Sequence, residues 1–330
     1  MQRRRLIALL ILTLTTAACG GSGGGESLHI AVIPKGTTHE FWQSIHAGAI
    51  KAVREFEADG IDVRITWKGP LREDDREQQI QVVEGFLSQG VSGIVLAPLD
   101  ASALVRPVEE ARRAGIPTVV IDSDLAADVQ VSFVATDNQQ GGVMAADRLG
   151  TLLEGKGKVL LLRYQEGSAS TDARERGFLE QMAKAFPGIE VVSSDQYAGA
   201  TRDTAKRASE NLLNRYGAEV QGIFTPNESS TAGMLLALQD VGRAGKVRFV
   251  GFDASETFVT ALRAGQLDGL VLQNPFDMGY RGVKTMVAHL RGEAVEKRVD
   301  TGVIVVTPDN LESEESRALL NPPLKEFLGG

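Results

Sequence analysis

The sequence predicts an α/β protein of two doubly wound, parallel-sheet lobes joined by a hinge of three chain segments. Three observations carry that expectation. From Leu28 onward, short runs rich in β-branched residues alternate with longer runs of helical periodicity, the pattern of a parallel sheet covered by helices on both faces. The alternation repeats too often for one small doubly wound domain and shows no eightfold, barrel-like spacing, while a body of about 300 residues suits two domains of ordinary size. The run also breaks at three places, within 131–138, after Leu272-Gln273-Asn274, and within 298–301.

In chain order the strand segments are LHIAVI, IDVRITW, GIVLA, TVVID, VSFVAT, KVLLL, IEVVSS, GIFTP, VRFVGF, DGLVLQ and TGVIVV. Between them, EFWQSIHAGAIKAVREFEA, REQQIQVVEGFLSQ, ALVRPVEEARRAG and SSTAGMLLALQDV place apolar residues three and four apart, the spacing of an amphipathic helix. Gly60, Gly90 and Gly115 follow helical runs as left-handed stops. Gly141-Gly142 reads as a backbone turn. The three breaks divide the body into a first lobe of residues 28–135 and 274–299 and a second of 136–273 and 300–330.

Residues 1–19 read as an export leader. Arg3, Arg4 and Arg5 precede an apolar run from Leu6 to Leu14 that ends in Ala17 and Ala18. That run is shorter than the roughly 20 apolar residues a transmembrane helix needs. Cys19 follows directly, at the place where a bacterial lipoprotein signal is cut and its thiol lipidated; Thr16 stands where that signal usually carries Leu. Residues 20–27, GGSGGGES, have the composition of a flexible tether. The chain is thus expected to be exported and lipid-anchored through Cys19 on the outer or periplasmic face of a membrane.

Composition excludes several classes of function. A formal net charge of −8 and a pI near 5.2 argue against a nucleic-acid surface, which needs clustered Lys and Arg. With one cysteine no intrachain disulfide forms, so the core alone holds the fold. Phosphate-binding loops, HExxH, GxSxG and paired Cys/His spacings are all missing, and His29, His39, His46 and His289 are scattered. A binding protein without metal, cofactor or catalysis is expected.

Ligands of open α/β sheets bind beyond the carboxyl ends of the strands. Those ends carry Lys35, Pro98, Asp122, Tyr164 to Asp172, Asn227, Asp253 and Gln273, groups that exchange hydrogen bonds with hydroxyls. Each also suits a turn or a helix cap. The run GPLREDDRE, residues 69–77, reads as a solvated loop and helix start, with a lip that touches ligand or transporter as the alternative.

The segments IPKGTTHEFWQSIHAGA, IDSD, TDNQQGG, STDARERGF, GIFTPN, FVGFD and LVLQN resemble, in order and spacing, the ribose-binding branch of the type I periplasmic binding proteins, from Leu28 to Asn310. The resemblance implies a sugar held between closing lobes and delivered by a monomer to an ABC transporter permease. A ligand-sensing partner of a membrane receptor or kinase is the alternative. It matches Phe41 and Trp42 to aromatics that pack on the sugar ring, and His39 to an asparagine just before them. It also matches Asp122, Arg174, Asn227, Asp253 and Gln273 to polar contacts. Ser123 stands where the ribose binders carry Arg, Lys35 where they carry a small polar residue, and Ala200, with Tyr197 nearby, where they carry a distal aromatic wall. Lys35, Asp122-Ser123-Asp124, Gly69-Pro70 and Asp172 resemble instead the branch that binds the furanosyl signal autoinducer-2, which lacks counterparts of Asp253 and Gln273. The candidate ligand set is Lys35, His39, Phe41, Trp42, Asp122, Ser123, Asp172, Arg174, Asn227, Asp253 and Gln273. Lys35, His39 and Arg174 suit a sugar acid or phosphate as the alternative, but a neutral polyol-type ligand is favoured, because Asp122, Asp172, Glu228 and Asp253 oppose an anion.

Overall fold

The structure, a computed structural model, describes residues 27–329; the leader, Cys19 and most of the tether lie outside the described residues. The first lobe opens with β1 (Leu28–Ile33), α1 (Glu40–Ala58), β2 (Val63–Trp67), α2 (Arg76–Gln89), β3 (Gly93–Leu96), α3 (Val105–Arg113), β4 (Thr118–Ile121) and β5 (Ser132–Ala135). The chain continues through α4 (Asn138–Leu152), β6 (Gly157–Leu161), α5 (Ala169–Ala185), β7 (Ile189–Ser193), α6 (Arg202–Tyr216), β8 (Gly222–Phe224), α7 (Glu228–Asp240), β9 (Arg248–Phe252), α8 (Glu256–Arg263) and β10 (Gly269–Gln273). It ends with α9 (Pro275–Leu290), β11 (Arg298–Asp300), β12 (Val303–Val306), α10 (Glu314–Leu320) and α11 (Leu324–Leu328).

Two six-stranded sheets result, ordered β11-β5-β4-β3-β1-β2 and β12-β10-β9-β8-β6-β7. All pairings are parallel except β10 with β12. The strands read as unbroken apolar runs because both faces of each sheet are covered: β3, β4, β5, β8 and β10 are buried at every position. The chain passes between the sheets after β5, after β10 and after β11. The last of these, RVD, carries no strand pattern of its own and adds to the edge of the first sheet, beside β5, immediately before the third passage.

Two details depart from the sequence reading. Gly141 and Gly142 lie inside α4, where they replace the expected turn with a close helix contact. A Cβ on Gly142 would stand 1.9 Å from the carbonyl oxygen of Arg174, and one on Gly177 2.2 Å from that of Gln139. Glycine at both positions therefore lets α4 and α5 cross backbone to backbone, and this crossing holds Arg174 against the second sheet. The chain end also differs from its assignment to the second lobe. α10 packs on that lobe, through Leu319 and Leu320, but α11 crosses back to α1. There the Arg54 guanidinium donates to the carbonyls of Glu326 and Phe327 at 3.0 and 3.4 Å, and the Phe327 ring meets that of Phe276.

Candidate ligand-binding cleft

The carboxyl ends of both sheets face one cleft, and the strand-end residues converge on it. Its lining comprises Lys35, His39, Phe41, Trp42, Glu73 and Asp122 from the first lobe, with Tyr164, Ser170, Thr171, Arg174, Asn227, Glu228, Asp253 and Gln273 from the second lobe and the hinge.

From the first lobe, His39 precedes α1 at its N-cap but leaves capping aside; its Nδ1 lies 3.0 Å from Glu73 Oε1. Trp42 Nε1 donates to the same oxygen at 2.7 Å, and the Phe41 ring meets the Trp42 ring edge-on with centroids 4.9 Å apart. Lys35 pairs with Asp122 at 2.9 Å and reaches Ser170 across the cleft at 3.3 Å. Gly69 permits the loop that carries Glu73, since a Cβ there would come within 2.8 Å of the Pro34 carbonyl oxygen.

From the second lobe, Arg174 is fully buried. Its Nε donates to Asn138 Oδ1 at 2.8 Å, one terminal nitrogen to the Pro226 carbonyl at 2.9 Å, and its guanidinium lies 4.0 Å above the Phe252 ring. Asn227 caps α7 through its side-chain oxygen, so it shapes the cleft and starts a helix at once. Asp253 accepts from Gln273 Nε2 at 2.7 Å and from the Glu228 backbone N–H at 3.0 Å. Glu228 pairs with Arg202 and faces His39 across the cleft at 3.6 Å.

The lobes are closed on one another in this conformation. Tyr164 OH donates to Glu73 Oε2 at 2.6 Å, Gln165 Nε2 to the Glu73 carbonyl at 3.2 Å, and the Ser170 backbone N–H to Ser123 Oγ at 3.1 Å. Burial opposes charge on His39, but the hydrogen bond and charge of Glu73, aided by Glu228, outweigh it and raise its pKa. Burial likewise opposes ionisation of Glu73, yet His39, Tyr164 and Trp42 hold its carboxyl below the ordinary value. Burial dominates at Asp253 and pushes its pKa up to about 6, with Arg174 and Gln273 offsetting only part.

Two candidates fall outside the lining. Ser123 spends its hydroxyl on the Ser170 backbone across the lobe boundary. Asp172 turns to Arg163 at 3.3 Å with 40% of its side chain exposed. Both belong to the autoinducer-2 resemblance. Arg163 also takes Glu175 at 2.5 Å, which leaves Arg174 free of the carboxylates beside it in sequence. Tyr197 lies under the Arg163 guanidinium, and the distal aromatic in the cleft is Tyr164 instead. Of the lining residues outside the candidate ligand set, Tyr164, Ser170 and Thr171 lie in the strand-end run 164–172 and Glu228 is among the carboxylates that oppose an anion; Glu73 alone is missed as a cleft residue. The charged loop read as solvated turns Glu73 inward, since three donors converge on its carboxylate. The loop follows the carboxyl end of β2, so the strand-end rule itself carried the signal.

Fold and site together define a two-lobed protein that binds a small polar molecule between its lobes. The model of the periplasmic binding protein domain family matches residues 30–294, and the chain belongs to that family. Among its relatives, the D-allose-binding periplasmic protein of Escherichia coli is 33% identical over 269 residues, 78% of this chain and 83% of that protein. The ribose import binding protein of Escherichia coli is 29% identical over 278 residues, 84% of this chain and 90% of that protein. A carbohydrate transporter solute-binding protein from Agrobacterium radiobacter, solved with D-arabinose, superimposes with a TM-score of 0.84 at 34% identity, covering 89% of this chain and 99% of that one.

Proposed function

We propose that the protein is the exported binding component of an ABC importer and captures a small neutral sugar or sugar-like polyol between its closing lobes. One observation carries this reading. Of the five buried side-chain polar atoms without a hydrogen-bond partner among the described residues, three line the one cleft: Arg174 Nη2, Glu228 Oε2 and Gln273 Oε1. One donor and two acceptors are thus left for a ligand that both accepts and donates, as hydroxyls do, and leaving such groups unmet costs about 1–3 kcal/mol each.

Charge argues for neutrality. Lys35 neutralises Asp122, Arg202 neutralises Glu228, and His39 stands against Glu73, so most of the charge is matched within the protein. Arg174 and Asp253 balance each other in sign within the same cleft. The aromatic faces of Phe41 and Trp42 suit the C–H side of a sugar ring, with polar groups at its rim. The relatives named above bind or import D-allose, ribose and D-arabinose, in keeping with this class.

Mechanistically, an open form exposes both half-sites, ligand bridges them, and closure follows because the ligand contacts residues of both lobes. Lipid attachment at Cys19 and the tether of residues 20–27 complete the reading: they hold a monomer near the membrane permease. No helix among the described residues is long and apolar enough to cross a membrane. Calorimetry with D-allose, D-ribose and D-arabinose, preceded by native mass spectrometry of freshly purified protein, tests the ligand class. Binding of one of them, or a co-purified neutral polyol, supports it, and an anionic co-purified ligand overturns it.

A further inference from the structure

Next to the cleft lies a second, larger cavity of about 860 Å³. It shares three residues with the cleft: Phe41, Asp253 and Gln273 line both. The partition between the two spaces is therefore one aromatic ring and one hydrogen-bonded pair, Gln273 Nε2 to Asp253 Oδ1. Gln273 is 4% exposed, and its Oε1 is a buried acceptor with no partner, placed at the junction.

The cavity differs from the cleft in chemistry. Its walls include Val259, Leu272, Leu311, Leu319, Leu320 and Leu324. Three of its charged side chains pair with one another, Arg263 and Arg317 both with Glu312 at 2.9 Å, while the exposed Glu40, Glu256, Lys325 and Glu326 also line it. The chain end borders it, because residues 321–326 run from α10 on the second lobe to α11 on the first and line the cavity as they go. Its volume falls within the range of pockets that hold small organic molecules.

We propose that this cavity is a second subsite of the ligand site, and that it takes the apolar aglycone of an alkyl or aryl glycoside whose sugar occupies the cleft. The proposal rests on the sugar reading of the cleft. The sugar meets Trp42 and the unpaired polar atoms, a hydroxyl near the junction donates to Gln273 Oε1, and the glycosidic substituent passes Phe41 to the aliphatic wall of the second space. Only a substituent in line with the sugar reaches both spaces, and its apolar part meets the aliphatic wall of Val259, Leu272 and Leu320.

The test uses the mature protein and calorimetry. D-allose, D-ribose and D-arabinose are titrated first, then the α- and β-phenyl glycosides of whichever sugar binds most tightly. One phenyl anomer is expected to bind within about tenfold of the free sugar, or more tightly. Leu320→Trp and Val259→Phe, which fill the chamber from two different elements, are expected to weaken the glycoside by about tenfold or more while the free sugar stays within about twofold. Loss of both anomers beyond about tenfold, with the free sugar still bound, shows that the cavity is only a gap between lobes and leaves the sugar reading intact. Equal effects of the two variants on sugar and glycoside, or no effect on either, overturn the subsite as well. If none of the free sugars binds and no neutral polyol co-purifies, the sugar reading fails and the subsite with it.

Discussion

Asp122 and Asp253 hold equivalent places in the two lobes. Each directly follows the third strand of its sheet, β4 in the order β11-β5-β4 and β9 in the order β12-β10-β9, and each has left-handed backbone geometry, φ 63° and φ 66°. Among the described residues, Glu154 is the only other non-glycine with positive φ. An L-residue held there costs of order 1 kcal/mol or more, a strain that collects at binding sites. The turn aims both carboxylates into one cleft, and their partners then set them apart: Asp122 has a lysine, whereas Asp253 has an amide and a backbone N–H.

That difference makes ligand binding sensitive to acid through Asp253. Its pKa in the closed form is about 6, raised by burial above the unfolded value, so its ionised form costs stability above that pH, a cost relieved as pH falls. A ligand hydroxyl that donates to the carboxylate needs the ionised form. Affinity is therefore expected to fall about tenfold between pH 7 and pH 5, with about half a proton released per ligand bound at pH 6. Calorimetry in buffers of different ionisation enthalpy measures the proton directly. Asp253→Asn is expected to bind more weakly and without this pH dependence.

Glu73 joins the two lobes, and its charge does so more strongly than its shape. Glu73→Gln keeps the size of the side chain but cannot serve His39, Trp42 and Tyr164 together as a charged acceptor. Ligand affinity is expected to fall by roughly tenfold, about 1–2 kcal/mol, with the circular dichroism spectrum unchanged. Undiminished affinity would mean that Glu73 only anchors its loop.

The His39–Glu73 pair gives closure a pH window. His39 is raised above 6.5, so its contribution is complete below 6.5 and is lost as pH rises through the folded value. Glu73 is lowered below 4.5, so its contribution is complete above 4.5 and is lost as pH falls through the folded value. The thermal midpoint is expected to carry this pair's full contribution between pH 4.5 and 6.5, and His39→Ala is expected to flatten the alkaline side. An identical alkaline limb in the variant would assign that loss of stability to other groups.

Arg174 supports the second lobe as well as the ligand. Arg174→Ala leaves Asn138 Oδ1 and the Pro226 carbonyl without their donor and removes a ring contact, so unfolding free energy is expected to drop by about 2–4 kcal/mol. Arg174→Lys is expected to recover little, since one ammonium cannot replace a planar fork that serves two acceptors and the cleft. Denaturant melts of the three proteins compare these outcomes.

Much of this was legible in the sequence because parallel sheets write themselves as apolar runs and place their ligands at strand ends. LHIAVI and EFWQSIHAGAIKAVREFEA coincide with β1 and α1 residue for residue. Lys35, Asp122, Asn227, Asp253 and Gln273 meet in the cleft for the same reason, and His39, Phe41, Trp42 and Arg174, given by the family resemblance, join them there. What stayed hidden depends on contacts distant in sequence. Glu73 is buried among His39, Trp42 and Tyr164, the last some ninety positions on; seen alone, GPLREDDRE has the composition of a solvated loop. Asp172 and Arg174 are near neighbours on α5, yet Arg163 draws one outward while Asn138 holds the other in. Strand β11 lacks an apolar pattern because two of its three residues are exposed at a sheet edge.

Closure around a ligand is the claim on which the rest depends, and small-angle X-ray scattering tests it most directly. The radius of gyration is measured without ligand and at saturation with the sugar that binds in calorimetry. A smaller, more compact particle with bound sugar, and loss of that compaction in a Tyr164→Phe, Glu73→Gln double variant, is the expected result. Identical scattering curves with and without saturating sugar would contradict it.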